Sequence, residues 1–382
     1  MRSAPTRRLV LVLASVLGVL AAGVAIAVAA TSSSGPVPAP KPLATALRDA
    51  AAGPRVAGVT ARIQFTNRLV ESSSVGQGSP LLQSGSGRLW ASPDGRVRLE
   101  LQSEHGDAEI LWDGTNLTVY DTTSNTVYKL AVPSQAQGHT STDGSGLPSV
   151  ADIERVLAQL AKDANVSGAT PSDVAGDATY TVQVAPKHDG GLLGSIQLAW
   201  DASNGTPLRA AVYAAGNPSP VLELAATEIG YGPVESSAFA LSVRSGAHVV
   251  DLSPPAAGPS GAEVVTGAAA VQSKVSFKIA APATLAGLPR REVRLASANS
   301  KDAALVTYGE GLGGIAVLET ASHSGSNEKA LESLPTVSIN GSNGHELATA
   351  LGTVLTFGRA GVQYTVIGSV PAAAAEAAAR AL

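Results

Sequence analysis

Two short polar segments contain the residue types best suited to chemistry. Residues 104–109 read Glu-His-Gly-Asp-Ala-Glu, and residues 187–191 read Lys-His-Asp-Gly-Gly. Imidazole and carboxylate groups at such spacing could bind a metal ion. Each segment, however, lies between two runs rich in strand-forming residues, where a polar turn is expected. We therefore interpret both segments as turns and predict no metal site.

A glycine-rich motif lies nearer the C-terminus. Residues 309–314 read Gly-Glu-Gly-Leu-Gly-Gly, which satisfies the GxGxxG pattern. A dinucleotide site needs a strand before this motif and a helix after it, because the phosphates bind helix N–H groups. The residues that follow, 315–318, read Ile-Ala-Val-Leu and favour another strand. The motif is therefore predicted to be a hairpin turn, and no cofactor is expected.

The composition gives no support to catalysis elsewhere. The 382-residue chain contains no cysteine, which excludes thiol catalysis, disulfides and thiolate metal sites. Its six histidines are scattered, and neither HExxH nor GxSxG occurs. A net charge of −4 gives a nucleic-acid partner no electrostatic support. We predict a binding protein with no catalytic residues rather than an enzyme.

The elements that would position a site begin with a meander over residues 87–130. Val97, Leu99 and Leu101 alternate with polar residues, which is the period of a half-buried strand. Turn signals at residues 93–95 and 113–114 separate such runs. The stretch predicts about five antiparallel strands with one polar and one apolar face.

Further elements flank this meander. Helices are expected at residues 43–51, which are rich in alanine, and at 148–163, where apolar residues repeat at helical spacing and Ser149 or Asp152 could cap the start. Strands are predicted at residues 59–70, 180–185, 194–201, 207–213 and 221–229, with a hairpin turn at Asn204-Gly205.

The N-terminus is typical of an export signal. Three arginines precede an uncharged apolar run over residues 9–30. The length of the run favours a retained membrane anchor, whereas an Ala-Val-Ala sequence at residues 27–29 favours cleavage near Ala29. Both alternatives place the body outside the cytoplasm, either anchored to the outer face of the membrane or secreted. Residues 31–42 are interpreted as a proline-rich linker.

A second proline-rich stretch divides the remainder. Residues 254–270 are predicted to be a linker between a domain at 43–253 and a smaller α+β domain at 271–382. The second domain is expected to contain short strands at 275–279, 292–296, 304–308, 314–319, 336–339, 353–357 and 362–367. Its C-terminal helix, from residue 371, has Glu376 and Arg380 at the (i, i+4) spacing of an ion pair.

The meander also carries a family resemblance. Gly87, Leu89 and Trp90, followed by an Asp113-Gly114 hairpin that contains Leu117, Tyr120 and Asp121, resemble the pattern of the bacterial lipoprotein-carrier (LolA-like) and envelope-stress regulator (RseB-like) families. The resemblance implies an α+β fold, mainly antiparallel β, in which a curved half-barrel sheet is closed by helices. It departs from the carriers at Ser92-Pro93-Asp94, where they have a basic residue that holds a helical lid.

The resemblance implies a cavity for acyl chains. We expect one face of the strands to bind a lipid or lipoprotein acyl chain, with these residues as ligand-binding candidates: Val97, Leu99, Leu101, Ile110, Trp112, Leu117, Val119, Ile196, Leu198 and Trp200. Face assignment depends on register, because a slip of one residue exchanges the faces. An ordinary core packed by the two helices remains the alternative to a cavity. An alternative function is that of an RseB-like sensor that regulates a membrane anti-sigma factor through protein–protein contact.

Overall fold

The structure, a computed structural model, describes residues 37–70, 80–104, 106–131, 149–187, 190–252, 265–298, 301–322 and 334–382. The signal or anchor predicted at residues 1–30 therefore lies outside the described residues. Among the described helices, none is long and apolar enough to cross a membrane. The strands form two sheets, one of thirteen strands and one of eight. The fold is α+β and mainly antiparallel, with a curled half-barrel sheet, as predicted.

The predicted meander forms one half of the first sheet. Strand β1 is followed by the five-stranded meander itself, and each strand pairs with the next in antiparallel register. The six strands are β1 (Val59–Asn67), β2 (Gly85–Ala91), β3 (Val97–Ser103), β4 (Gly106–Trp112), β5 (Asn116–Asp121) and β6 (Thr126–Ala131). The polar segment at residues 104–109 contributes the β3–β4 turn, with Ser103 opposite Gly106. His105 lies outside the described residues.

Gly87, part of the family-like pattern, is explained by close approach of two backbones. A Cβ at this position would collide with the carbonyl oxygen of Glu100 on β3. Because any larger residue would push β3 away, the glycine keeps β2 and β3 paired at this point.

The other half of the sheet returns to β1. Its strands are β7 (Ala164–Val166), β8 (Thr170–Val174), β9 (Asp177–Pro186), β10 (Leu193–Asp201), β11 (Pro207–Ala214) and β12 (Pro220–Tyr231). Antiparallel pairing of β1 with β12 joins the two halves. Asn204 and Gly205 lie in the β10–β11 turn, where Gly205 has a φ of 77°, as the hairpin signal predicts. The short strands β7 and β8 had not been predicted, because three to five residues carry too little alternation.

Two helices pack near the β9–β10 end of the sheet. Helix α1 spans Leu43–Ala52 and α2 spans Val150–Leu160. The predicted cap of α2 is a capping box: the Ser149 hydroxyl accepts from the Asp152 N–H, and the Asp152 carboxylate accepts from the Ser149 N–H. The two exchanges satisfy backbone donors that a helix start otherwise leaves unpaired.

The chain after β12 crosses the outside of the meander. A 3-10 turn at Ser236–Phe239 lies over β3, and the Ala238 carbonyl accepts from Arg98 Nη1 at 2.8 Å. Arg98 also forms ion pairs with Glu100 and Glu109 at 2.5 and 2.9 Å. Strand β13 (His248–Asp251) then adds to β6 in parallel register. The turn therefore covers the outer face at β3, and β13 extends the edge of the meander.

The second sheet has the order β14-β15-β16-β17-β21-β20-β19-β18. After helix α3 (Ala268–Gln272), its strands are β14 (Thr284–Leu285), β15 (Leu288–Ala298), β16 (Lys301–Tyr308), β17 (Ile315–Ala321), β18 (Thr336–Ile339), β19 (Ser342–Thr349), β20 (Gly352–Arg359) and β21 (Val362–Gly368). Helix α4 (Ala372–Arg380) closes the chain and forms the predicted Glu376–Arg380 ion pair. The GxGxxG motif is the turn between antiparallel β16 and β17, as predicted.

Two predictions for this region were wrong. Residues 275–279 are not a strand but part of an irregular strap, residues 273–283, whose apolar side chains pack on the core of the sheet. Strand β19 was missed because Asn343, His345 and Glu346 interrupt its apolar pattern. Pairing with β18 and β20 outweighs that weak local preference.

Backbone hydrogen bonds join the two sheets at two places. The Ala350 N–H, in the β19–β20 turn, donates to the Leu69 carbonyl at 2.8 Å. The Leu192 N–H, before β10, donates to the Ser369 carbonyl at 3.0 Å. Ala350 and Leu351 also pack on the hydrophobic cluster of the first sheet. The β19–β20 turn therefore forms part of the boundary of that cluster.

Candidate ligand site

Seven of the ten predicted ligand residues lie in the meander, on one face. Leu99, Ile110 and Val119 are direct cross-strand neighbours, and so are Val97, Trp112 and Leu117. Leu101 alternates with Leu99 and lies on the same face. We call this the inner face. The register of the strands therefore brings these seven residues together.

In this half of the sheet the inner face is covered by protein. Six of the seven residues are buried, with exposed fractions of 2–6%, and Val97 is half-buried. Leu69 and Leu81, from the chain between β1 and β2, pack in the same cluster, which we call the meander cluster. Around these seven residues the arrangement is that of a packed core.

The remaining three predicted residues lie on β10. Register continues across the sheet from Leu99 through β2, β1, β12 and β11, so that Leu198 and Trp200 also lie on the inner face. Trp200 is buried with Tyr180, Val182 and the α1 residues Leu43 and Ala46 in what we call the helix cluster. The sequence prediction therefore joined residues that the structure assigns to separate clusters.

Between these two clusters lies a row of apolar side chains, which we call the central patch. Its members are Val184, Ile196, Leu198, Ala210, Val212 and Leu224. Leu198 is buried and the other five are half-buried. Val212 and Leu224 border the meander cluster, whereas Val184, Ile196 and Leu198 belong to neither described cluster. Most apolar groups of the central patch therefore retain some contact with solvent, as Val97 does in the meander.

Sequence reasoning had found only Ile196 and Leu198 among these six. A signal for two more was available in the Asn204-Gly205 turn, which sets the pairing of Leu198 with Ala210 and of Ile196 with Val212. Val184 and Leu224 depend on pairings with β9 and β12 that no local signal defines.

The outer face behind the central patch is polar. Arg209 forms an ion pair with Glu223 at 2.5 Å and donates to Gln197 Oε1 and to the Tyr213 hydroxyl. Arg209 is cross-strand from Ala199 and Ala225, and Gln197 alternates with Leu198, which places the network opposite the patch. The same face also carries Ala199 and Ala211, both buried, so the network is the polar part of that face.

Polar groups gather at the Trp200 end of the inner face. The indole Nε1 of Trp200 is buried and has no hydrogen-bond partner among the described residues. The Tyr180 ring lies 6.2 Å from that of Trp200, and the Tyr180 hydroxyl donates to the Ala39 carbonyl at 2.6 Å. The Lys41 ammonium lies 5.2 Å from the centre of the Tyr180 ring and bonds Asp49, which raises the pKa of the lysine. This end therefore offers a positive charge and a buried donor.

Helix α2 is only loosely packed. Val156 is 68% exposed, and Ile153, Leu157 and Leu160 are half-buried. Of these, Leu157 packs against the helix cluster. The amphipathic pattern had predicted the helix from the helical spacing of these four apolar residues. The structure shows a helix held by its cap and a small apolar contact beside the Trp200 end of the sheet.

No other chemistry-bearing cluster is found in the described part of the chain. It holds no group of three or more His, Asp or Glu residues that could bind a metal ion. His188 and Asp189 lie outside the described residues. For these two residues, the interpretation as part of a turn therefore rests on the sequence alone.

Comparisons with known proteins found similar solved structures. No family model matches the sequence, and no curated protein matches it. One structure, the MucA/MucB complex of Pseudomonas aeruginosa, has 17% identity and a TM-score of 0.43, over 88% of this chain and 96% of that one. A LolA-superfamily protein from Nitrosomonas europaea has 11% identity and a TM-score of 0.24, over 53% of this chain and 98% of that one.

A third similar structure is a putative outer membrane lipoprotein-sorting protein domain from Vibrio parahaemolyticus. It has 10% identity and a TM-score of 0.24, over 52% of this chain and 95% of that one. None of the three is described as an enzyme. The solved structures to which the chain is similar include a LolA-superfamily protein and MucB, the groups that the sequence resemblance had named.

Proposed function

We propose that this chain is an extracytoplasmic, membrane-associated binding protein that holds a lipid or lipoprotein acyl chain on the central patch. The observation that carries the proposal is the row of half-buried apolar side chains between two closed clusters. The predicted export segment, residues 1–30, would keep the protein beside a source of acyl chains. The first sheet with its helices would be the binding domain, residues 43–253, and residues 271–382 the second domain.

The proposed mechanism is reversible burial of methylene groups. Each buried CH₂ contributes about 0.8 kcal/mol, so about ten of them give a gross gain of roughly 8 kcal/mol. Ordering of the ligand and loss of its overall motion offset part of this gain. The balance suits a carrier, which must release its ligand as well as hold it. The meander residues, which are already packed, would then form the wall behind the ligand rather than its first contacts.

The experiment that tests this proposal is native mass spectrometry with lipid extraction, on the full chain purified from a bacterial membrane fraction. We expect a co-purifying lipid. The Ile196→Thr variant, which places a hydroxyl on the central patch, should retain much less of it. The matched control is Ile367→Thr on β21 of the second sheet, where the isoleucine is 44% exposed. The proposal is wrong if the wild-type protein retains no lipid and its tryptophan fluorescence does not change when fatty acyl probes are added.

A second candidate is an RseB-like sensor that binds the exported segment of an anti-sigma factor. The observation in its favour is the joint between the sheets, through Leu69–Ala350 and Leu192–Ser369, which would make one sheet respond to the other. The similar protein MucB was solved in complex with a partner, MucA. Co-purification of the chain with an anti-sigma factor would support this function, and a clean lipid complex without any protein partner would count against it.

A further inference from the structure

The unpaired indole of Trp200 indicates the chemical class of the ligand. Tryptophan Nε1 is a donor only, and a buried indole N–H normally has an acceptor. Trp200 is 3% exposed, yet its N–H has no acceptor among the described residues. An unsatisfied buried donor costs about 1–3 kcal/mol. A ligand that carried an acceptor to this position would remove that cost.

The position of Trp200 connects this donor with the central patch. Trp200 and Leu198 alternate along β10 on the inner face, two residues apart, or roughly 6.5–7 Å. Leu198 belongs to the patch, so an acyl chain lying along Ile196 and Leu198 would reach the indole with its next few atoms. The tail and the head of one ligand would therefore meet different groups on the same strand.

The groups around Trp200 leave its indole as the donor for such an acceptor. Lys41 is the cation nearest the Tyr180 and Trp200 rings in the described contacts, and its ammonium is shared with the Asp49 carboxylate at 2.7 Å. The Tyr180 hydroxyl is engaged with the Ala39 carbonyl and is not available as a donor to the ligand. The indole N–H is thus the unpaired donor at this end, and the charge of Lys41 is balanced by that of Asp49.

We infer that the ligand on the central patch is an acyl chain with a carbonyl or carboxylate head, and that this head accepts a hydrogen bond from Trp200 Nε1. This inference rests on the proposed function, since it assigns the head group of the same ligand. The shared chemistry covers a free fatty acid and an acyl ester. Both would accept from the indole, and the carboxylate would form the stronger, charge-assisted hydrogen bond.

The test replaces the indole N–H without changing its shape. β-(3-Benzothienyl)alanine, in which sulfur takes the place of N–H, is incorporated at position 200 of the full chain. Binding of palmitate, methyl palmitate and hexadecyltrimethylammonium, all with sixteen-carbon chains, is then measured by native mass spectrometry. The last probe has no acceptor. The matched control is the same replacement at Trp90, whose ring lies against Arg98 on the outer face.

We expect the replacement at position 200 to weaken palmitate binding about 10- to 100-fold, the range for a hydrogen bond to a charged group. Hexadecyltrimethylammonium should bind the wild-type protein weakly and be insensitive to the replacement, and the Trp90 control should leave all three affinities unchanged. Methyl palmitate bound as tightly as palmitate would show that an ester carbonyl is sufficient as the acceptor, and selective binding of palmitate would identify the free acid.

Failure of the inference is distinguishable from failure of the proposed function. If palmitate and methyl palmitate bind equally to the wild-type and substituted proteins, the central patch binds acyl chains but Trp200 does not recognise their heads. That outcome overturns the inference and leaves the function intact. If the wild-type protein binds none of the probes and retains no lipid, both are overturned.

Discussion

The two halves of the first sheet use the same strand pattern but differ in what covers their inner face. In the meander half, the chain between β1 and β2 contributes Leu69 and Leu81, and the inner face is a closed core. In the β9–β12 half, helices α1 and α2 cover the Trp200 end and leave the central patch half-buried. Alternation along a strand thus defines an apolar face, whereas the neighbouring segments decide whether that face is core or binding surface.

One substitution in each half of the first sheet tests most directly whether the two inner faces are packed differently. Leu117→Ala removes a 2% exposed side chain from the meander cluster and should lower the free energy of unfolding by about 2–5 kcal/mol. Ile196→Ala removes a half-buried side chain from the central patch and should cost less than about 2 kcal/mol. Urea denaturation of both variants measures the difference. Equal losses would mean that the central patch is as tightly packed as the meander.

The interior of the second sheet provides a contrast of another kind, because it buries a carboxyl group. Glu319 on β17 is fully buried; its Oε2 accepts from the Ala280 N–H of the strap at 2.8 Å, and Oε1 has no partner among the described residues. Burial raises the pKa of Glu319 from 4.5 to about 7, and the bond from Ala280 opposes this only in part.

The raised pKa predicts a stability that falls as pH rises. The folded protein holds the Glu319 proton more tightly than the unfolded chain, so its contribution is fully present below pH 4.5 and is lost as pH rises to about 7. A difference of about 2.5 pKa units corresponds to roughly 3 kcal/mol.

Glu319→Gln keeps an acceptor for Ala280 and cannot ionise, which makes it the matched variant. Urea unfolding of both proteins at pH 5 and pH 8 should show a gap that opens in favour of the variant at pH 8, by the roughly 3 kcal/mol given above. The difference between the two proteins isolates Glu319 from Asp177 and Glu346, whose pKa values burial also raises. A gap that does not change with pH would contradict the assigned burial of the carboxylate.

The cap of α2 should matter less, because the helix is loosely packed. Ser149→Ala removes the acceptor for the Asp152 N–H and should destabilise α2 by about 1 kcal/mol. Ser149→Asp, which can also cap, should restore most of the loss. Hydrogen exchange of the α2 amides measures both effects. If exchange in the meander increased as much as in α2, the helix would be part of the same cooperative unit, contrary to the comparison.

The smallest effect is expected at Val156. Because this side chain is 68% exposed, Val156→Thr should change the free energy of unfolding by no more than about 0.5 kcal/mol. The same variant sharpens the description of the ligand surface. Unchanged retention of lipid would confine that surface to the sheet, whereas reduced retention would extend it to the edge of α2.

Much of the fold could be predicted because its signals are local. Alternation and turn residues located the meander, Asn204-Gly205 located a hairpin, and Ser149 located the start of α2. The failures follow from the same dependence on local pattern. The strap at residues 273–283 has strand-like alternation but no strand partner, and its apolar side chains pack on the core of the second sheet instead. Conversely, β19 has a poor apolar alternation but pairs with two neighbouring strands, β18 and β20.

At the candidate site, the sequence predicted which faces are apolar but not how deeply each residue is buried. Alternation assigned Leu99, Ile110 and Ile196 to apolar faces correctly, and strand register confirms that these faces coincide. It could not separate packed residues such as Leu117 from half-buried ones such as Ile196, because both are apolar residues in alternating strands. The ligand-binding role of the ten predicted residues stays a prediction.

The sequence by itself determined the elements, their faces and the absence of cysteine chemistry, since each depends on residue type and short-range spacing. Only the tertiary structure decided which apolar face is closed, that Trp200 is buried without an acceptor, and that Glu319 is enclosed beneath the strap. These features depend on contacts between residues more than a hundred positions apart in the chain, such as Lys41 with Tyr180, or on the path of irregular segments. Burial is a property of the whole packed molecule, and no local pattern encodes it.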